Sequence, residues 1–262
     1  MSASDEPPPH GRGFLRQVLG GFAVAAVLLT RLPVAAPKWA PGEAARASWA
    51  FPFVGLAIGA LAGLAFFLAR HLHLGPALAA LLALAAGLAL TGALHEDGLA
   101  DTADGFFGGH ERAHKLAIMR DSRHGTFAVA ALLLSFGLRG AALAEIGDPL
   151  RALLALLAAH AASRGLVPVA AAVLRPARAD GLGADFGEPS AWVAAAAVLA
   201  GGLISLVALG PIRGLVGFGL AGLAALGAAE LARRQIGGYT GDVLGAVQQL
   251  GEIAMLLAAA AQ

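Results

Sequence analysis

Long apolar blocks alternate with polar connections along this chain. Two of the clearest blocks, residues 51–69 and 76–94, contain no charged side chain. At about 1.5 Å rise per residue, a helix of this length is roughly 28 Å long, close to the hydrocarbon thickness of a bilayer at about 30 Å. The pattern therefore predicts helices that cross a membrane.

Blocks of this kind recur from end to end and predict an all-α fold, a polytopic transmembrane helical bundle of about seven or eight membrane segments. They are residues 14–30, 51–69, 76–94, 126–146, 150–174, 191–209, 214–231 and 243–260. The first block is short, and the last contains Gln248, Gln249 and Glu252, so either could be partly interfacial or re-entrant. Alanine and glycine dominate the blocks, which suits close helix packing in lipid.

The domain organisation follows from the same pattern. Residues 1–12 are polar and rich in proline, which favours a disordered N-terminal tail and not a removed signal peptide. Residues 13–262 then form a single integral membrane domain.

The connections are of two kinds, and counting the spans puts every long polar one on the same side of the membrane. These long connections are residues 31–50, 95–125, 175–189 and 232–242. They carry eleven Lys and Arg residues, against five on the other side with the tail included. Because positive charge is retained on the cytoplasmic side, we expect these loops to face the cytoplasm of a bacterial inner membrane.

Composition narrows the chemistry. Hydrophobic residues make up 58% of the chain and charged residues only 13%, against about 25% charged in soluble domains. The net charge of +1 gives no support for nucleic-acid binding. The absence of cysteine excludes disulfides, thiolate catalysis and cysteine-ligated metals.

The most informative polar stretch is TGALHEDGLADTADGFFGG at residues 91–109. Asp97, Asp101 and Asp104 stand at i, i+4 and i+7, so a helix would present all three on one face. Such like charges repel unless a cation lies among them, and Mg²⁺ binds through a few carboxylates together with substrate phosphates. A solvated acidic helix end is the alternative, and the neighbouring His95 and Glu96 at a membrane edge favour the metal site.

Basic residues suggest phosphate binding. The stretch IMRDSRHGT at residues 118–126 offers Arg120, Asp121 and Arg123, and paired guanidinium groups suit phosphate oxygens. It could equally be the positive flank of a membrane helix. Arg164 and Arg139 lie inside apolar blocks, where an arginine marks a polar cavity or a partner charge unless it snorkels.

Two further loops add polar groups. The third long loop contains RPARADGLGADF at residues 175–186, and the fourth contains GGYTGD at residues 237–242. The glycines of the fourth loop predict a turn that exposes backbone N–H groups to an anion and directs Asp242 inward, although a plain interhelical turn would explain them as well.

These pieces together resemble the cobalamin synthase family. The matching motifs are TRLPV at residues 30–34, FPFVGLAIG at 51–59, the acidic stretch at 91–109, IMRDSRHGT, the Ser163–Arg164 pair, the loop at 178–183 and GGYTGDVLGA at 237–246. They run in order over nearly the whole chain after the tail, and the block HEDGLADTADG is the most specific of them.

The resemblance implies a transferase that assembles the nucleotide loop of cobalamin. Adenosylcobinamide-GDP and alpha-ribazole, or its 5'-phosphate, would be joined with loss of GMP. Mg²⁺ held by Asp97, Asp101 and Asp104 would bridge the phosphates, and Asp104 or Asp101 would accept the proton of the ribose hydroxyl, with His95 a further catalytic candidate. The candidate substrate- and phosphate-binding residues are Arg31, Glu96, Arg120, Asp121, Arg123, Arg164, Arg178 and Asp242.

Other functions remain open at this stage. A CDP-alcohol phosphotransferase would share the reaction type and the metal, but its DGxxAR…GxxxDxxxD pattern does not match. An ion-coupled transporter would use intramembrane charges such as Arg164, Glu230 and Glu252, and would place its key carboxylates near the bilayer midplane. The expected partners are the two small-molecule substrates and the lipid bilayer, without nucleic acid, and the chain could form a homo-oligomer.

Overall fold

The computed structural model describes residues 10–35 and 40–261, with side chains from residue 15 onward. Within these ranges the chain is helical, and its one β-type contact is an isolated bridge between Pro176 and Tyr239. The expected all-α class is confirmed. Residues 1–9, most of the predicted tail, lie outside the described part, and the first helix already begins at His10.

The helices follow the apolar blocks. In chain order they are α1 His10–Leu29, α2 Glu43–Ala47, α3 Phe51–His71, α4 Pro76–Thr91, α5 Leu94–Gly108, α6 Arg112–Ile118, α7 Thr126–Ile146, α8 Pro149–Val173, α9 Leu182–Phe186, α10 Ala191–Leu209, α11 Pro211–Ile236 and α12 Gly241–Ala260. Proline opens α4, α8 and α11, where its missing N–H is not needed.

Six of these helices are long and apolar enough to cross a membrane, namely α3, α7, α8, α10, α11 and α12, with α2 continuing into α3. The pair α4 and α5 counts as a seventh crossing only if its 91° bend is accepted within one span. In α1 the apolar part, Leu15–Leu29, is shorter. The described segments therefore give six or seven crossings, which makes the chain a membrane protein, with the first predicted block the uncertain one.

Helix α8 is the centre of the bundle. Most of its residues are buried, and it packs against α3, α10, α11 and α12. Small residues allow this close approach: a Cβ on Gly59 of α3 would lie 2.9 Å from the backbone carbonyl carbon of Leu156. Leucine side chains on the outer faces of α7, α10 and α11 are exposed, as expected for helices that face lipid.

The four long connections meet at one end of the bundle. Gly42 donates its N–H to the carbonyl of Asp185 over 2.9 Å, which joins the first loop to the third. Arg112 donates to the carbonyl of Ile236 over 2.7 Å, which joins the second loop to the end of α11. At the opposite end, Arg70 donates to the carbonyl of Gly147 over 3.2 Å. The sequence-based prediction that the polar loops share one side is therefore confirmed.

Candidate active site

The site begins at a sharp break between α4 and α5. Gly92 and Ala93 both adopt the left-handed conformation, with φ of 63° and 58°, and the chain turns by 91°. Glycine is required at the first position because Arg31 lies directly over it and would collide with a Cβ. Ala93 adopts this conformation at a cost of about 1 kcal/mol. The break directs the acidic helix α5 away from the axis of α4.

The three aspartates of α5 are not equivalent. Asp97 is exposed, Asp101 is partly buried and Asp104 is buried. Asp104 uses both carboxylate oxygens as a cap for α7: Oδ1 accepts the N–H of Ala128 over 2.8 Å, and Oδ2 accepts the N–H of Gly125. A carboxylate at this position satisfies backbone donors that the first turn leaves free.

This cap corrects the prediction of a three-aspartate metal site. Asp104 has no free oxygen to offer a cation or a substrate proton in this structure. Across the described ranges, no group of three His, Asp or Glu side chains stands in a geometry that could hold a metal ion. Asp97 and Asp101 remain as the acidic pair of α5.

Asp242 joins this acidic pair from the facing helix. Helices α5 and α12 touch where both carry glycine: a Cβ on Gly98 would lie 2.8 Å from the carbonyl oxygen of Asp242 and 3.2 Å from the Cα of Gly245. Burial, followed by the negative charges of Asp97 and Asp242, raises the pKa of Asp101 to about 7. Because α5 turns away from the spans, this carboxyl lies at the edge of the bundle.

The third and fourth loops hold Arg178 beside Asp242. Tyr239 receives the N–H of Ala177 on its carbonyl over 2.7 Å and donates its own N–H to the carbonyl of Arg175 over 2.9 Å. Its hydroxyl donates to the carbonyl of Gly187 over 3.0 Å, and burial raises the pKa of this phenol to about 12. These bonds tie the two loops together.

Within that frame, Arg178 Nη2 lies 3.5 Å from Asp242 Oδ2. The buried Nε and Nη1 of the same guanidinium have no hydrogen-bond partner within the described part of the chain. Thr240 caps α12 by accepting the N–H of Val243 and donates its hydroxyl to Asp242 over 3.0 Å. The site therefore combines three carboxylates with one guanidinium that has donors to spare.

The other predicted basic residues lie nearby and are already paired. Arg123 grips Asp121 with two bonds, Nε to Oδ1 over 3.0 Å and Nη2 to Oδ2 over 2.7 Å, and these bonds lower the pKa of Asp121 to about 2. Arg120 pairs with Asp180 of the third loop. The IMRDSRHGT stretch reaches the acidic pair through His124, whose Nδ1 lies 3.8 Å from Asp101 Oδ1.

Glu96 and Arg164, both predicted to bind substrate, lie instead in a buried polar network between α5, α7, α8 and α12. Its centre is Glu252, whose Oε1 accepts a bond from Arg139 Nη1 over 2.9 Å. Arg139 also donates to Glu96 over 3.1 Å, and Arg164 lies 3.8 Å from Glu252 and 2.8 Å from His160 Nδ1. Gln248, Gln249, Ser135 and Ser163 complete the network.

Two arginines and two glutamates balance within this network. Arg164 is 1% exposed and Glu252 1% exposed, so neither can reach a phosphate at the bundle edge without a rearrangement. The prediction that Arg164 and Glu96 contact substrate is therefore replaced by a role in holding the helices. The sequence carried the signal in the i, i+4 pairs His160 with Arg164 and Gln248 with Glu252 inside apolar blocks.

His95 lies between these two regions. It belongs to the first turn of α5, is 4% exposed and lines a cavity beside α12. Its enclosed Nδ1 has no hydrogen-bond partner among the described residues.

Comparison with known proteins agrees with the motifs. The model of the cobalamin-5-phosphate synthase family matches residues 21–260. The chain is 52% identical over 252 residues to an adenosylcobinamide-GDP ribazoletransferase of Bradyrhizobium diazoefficiens, which covers 96% of this chain and 97% of that protein. A ribazoletransferase of the same description from Mesorhizobium japonicum is 46% identical over 245 residues, covering 93% and 94%.

No solved structure matches the chain. The family match and the identities extend over almost all of the described helices, including α5, the third loop and the start of α12. The resemblance read from the motifs is confirmed, and the chain belongs to the cobalamin-5-phosphate synthase family.

Proposed function

We propose that this chain joins adenosylcobinamide-GDP to alpha-ribazole, or to its 5'-phosphate, and releases GMP. The observation that carries the proposal is the edge site: Asp97, Asp101 and Asp242 beside Arg178, in a chain whose relatives are named adenosylcobinamide-GDP ribazoletransferases. A hydroxyl of the acceptor ribose attacks the phosphorus nearer the corrinoid. The new P–O bond forms as the bond to GMP breaks, and the hydroxyl proton passes to a carboxylate.

Asp101 is suited to take that proton. Its pKa of about 7 lets the carboxylate be ionised for much of the time at neutral pH and still bind a proton well. Asp104, the other carboxylate considered from the sequence, already accepts two backbone N–H groups. Asp101 is therefore the proton acceptor of this proposal.

Arg178 is suited to hold the diphosphate. Its unpartnered Nε and Nη1 can donate to phosphate oxygens while Nη2 remains near Asp242. Arg123 and Arg120 are less suited because their donors already serve Asp121 and Asp180. Arg31, exposed beside the α4–α5 break, is a second cation at the same edge.

The donor set at the edge fits Mg²⁺. Asp97 offers an exposed carboxylate, and the acids around Asp101 have more negative charge than Arg178 alone balances. Magnesium needs only one or two protein carboxylates when substrate phosphates supply other oxygens, which agrees with the absence of a three-ligand cluster in the described ranges. Bound there by Asp97, with Asp101 adding charge, Mg²⁺ would neutralise charge on the diphosphate.

The loops that carry this site are the ones with the larger share of Lys and Arg, which supports a cytoplasmic orientation in a bacterial inner membrane. The CDP-alcohol phosphotransferase alternative gains no support from the family match. The charge-balanced network around Glu252 does not favour the transporter. Homo-oligomer formation stays a prediction.

Product analysis tests the proposal. The purified full chain is incubated with adenosylcobinamide-GDP, with and without alpha-ribazole and Mg²⁺, and GMP and the joined corrinoid are quantified. The proposal expects one GMP for each joined product, with both additions required. Release of GMP without a joined product, or joining to a CDP-alcohol-type donor instead, would contradict it.

A further inference from the structure

An apolar cavity of about 440 Å³ lies beside the edge site, enclosed by α1, α3, α5, α8, α9 and α12. This volume is within the range of small-molecule pockets, about 300 to 1,000 Å³. The residues that line its walls include Leu28, Phe51, Val167, Leu182, Phe186 and Leu244.

His95 supplies the one polar side chain of this lining. Its ring makes no hydrogen bond to any described residue, and Nδ1 is shut off from solvent without a partner. A buried polar atom left unpaired is unfavourable, whereas a bound ligand with a complementary atom would satisfy the ring. The cavity thus has apolar walls and a single polar group that lacks a partner.

The cavity adjoins the reacting groups. Gly241, which precedes Asp242, forms part of its wall, and so does Gly245 one turn further along α12. At the same level α5 touches α12 through Gly98, next to Asp97. A ligand with its apolar end in the cavity would therefore have its other end near the carboxylates.

We infer that this cavity holds the benzimidazole base of the acceptor nucleoside, with His95 hydrogen-bonded to the ring nitrogen. This rests on the function proposed above. The three large groups of the two substrates differ in chemistry. A corrin ring is too wide for the cavity, and guanine has polar groups along two edges that one histidine cannot satisfy. A benzimidazole nucleoside has a flat apolar bicycle with one acceptor nitrogen.

A first test fills the cavity at its α9 side. Leu182→Trp adds bulk to a lining residue, and Leu215→Trp makes the same change on the exposed outer face of α11. In GMP-release assays Leu182→Trp should raise the KM for alpha-ribazole at least tenfold and change the KM for adenosylcobinamide-GDP less than threefold. Leu215→Trp should change neither.

A second test addresses the hydrogen bond and does not depend on turnover. Binding of alpha-ribazole alone to the purified full chain is followed through the fluorescence of its benzimidazole ring. His95→Phe should weaken binding about tenfold, and His95→Gln, which keeps an N–H donor, should recover at least half of the loss on a logarithmic scale. Elution as a single symmetric peak in detergent checks that both variants fold.

The outcomes separate the two proposals. If the wild-type chain does not join the substrates, the proposed function fails and the kinetic comparison cannot be made. If it does join them, and both Leu182→Trp and His95→Phe leave alpha-ribazole binding unchanged, the cavity is not the acceptor site. A selective rise in the KM for adenosylcobinamide-GDP would place the guanine there instead and would also overturn the inference.

Discussion

The two charged regions of this chain, the edge site and the buried network, solve the same physical problem in opposite ways. In the buried network, the charges of Arg139 and Arg164 are matched by Glu96 and Glu252 within 4 Å. At the edge, Asp97, Asp101 and Asp242 share one nearby arginine. Inside a bundle an unpaired charge is very costly, whereas water at the edge makes surplus charge tolerable.

The difference assigns roles. A balanced network has little electrostatic reason to attract an ion and holds four helices together through its mutual bonds. A surplus of negative charge beside a cationic side chain with free donors attracts a divalent cation and a phosphate together. The predictions below change one region and leave the other intact.

The largest effect is expected from Asp101→Asn. Loss of the proton acceptor should lower kcat about 100- to 10,000-fold while the protein still inserts and elutes as a single species in detergent. Glu230→Gln, at an exposed acid near the end of α11, is the matched control and should keep normal turnover. Near-normal kcat in Asp101→Asn would remove this residue from the chemistry.

In the buried network, Glu252→Gln should destabilise the fold. Removing one member of a buried ion pair costs about 3–5 kcal/mol because the partner charge is left uncompensated. The melting temperature in detergent should therefore fall by several degrees, and the double variant with Arg139→Gln should recover part of the loss. An unchanged melting temperature in Glu252→Gln would show that the network does not stabilise the bundle.

A smaller effect is expected from the arginines at the edge. Arg178→Met should raise the KM for adenosylcobinamide-GDP about tenfold, since a charged hydrogen bond to the substrate is lost. Arg123→Met should change it less than threefold because Arg123 is occupied by Asp121. The reverse order would mean that the IMRDSRHGT stretch, and not the third loop, holds the diphosphate.

The smallest effect concerns pH. Because the pKa of Asp101 is raised to about 7, this side chain is mostly neutral below that pH and mostly ionised above it. The concentration of Mg²⁺ that gives half-maximal GMP release should therefore rise severalfold as the pH falls from 8 to 6. A half-maximal concentration that stays constant over this range would contradict the assigned charge state.

Much of the fold could be predicted from the sequence because apolar length is a local property. The predicted blocks 126–146 and 191–209 coincide with helices α7 and α10. The block 76–94 was predicted as one straight span, but α4 ends at Thr91 because Gly92 and Ala93 are left-handed. Two adjacent residues in that conformation, one of them alanine, have no sequence signature.

The site was predicted less completely because its roles depend on contacts between distant segments. The spacing of Asp97, Asp101 and Asp104 placed them on one helix but could not show that Asp104 caps α7. The position of Arg164 in an apolar block indicated a partner charge, and the structure identifies Glu252 as that partner. The pairing of Arg178 with Asp242 depends on the Tyr239 turn, which joins two loops far apart in the chain.

The central claim is that the surplus negative charge at the edge exists to bind Mg²⁺ together with the diphosphate. The most direct measurement is a magnesium titration of GMP release by the wild-type chain and by Asp97→Asn, with Glu230→Gln as control. We expect Asp97→Asn to need at least tenfold more Mg²⁺ for half-maximal release, with the control unchanged. Equal magnesium requirements in the three proteins, or full activity of the wild type in a chelator, would contradict the claim.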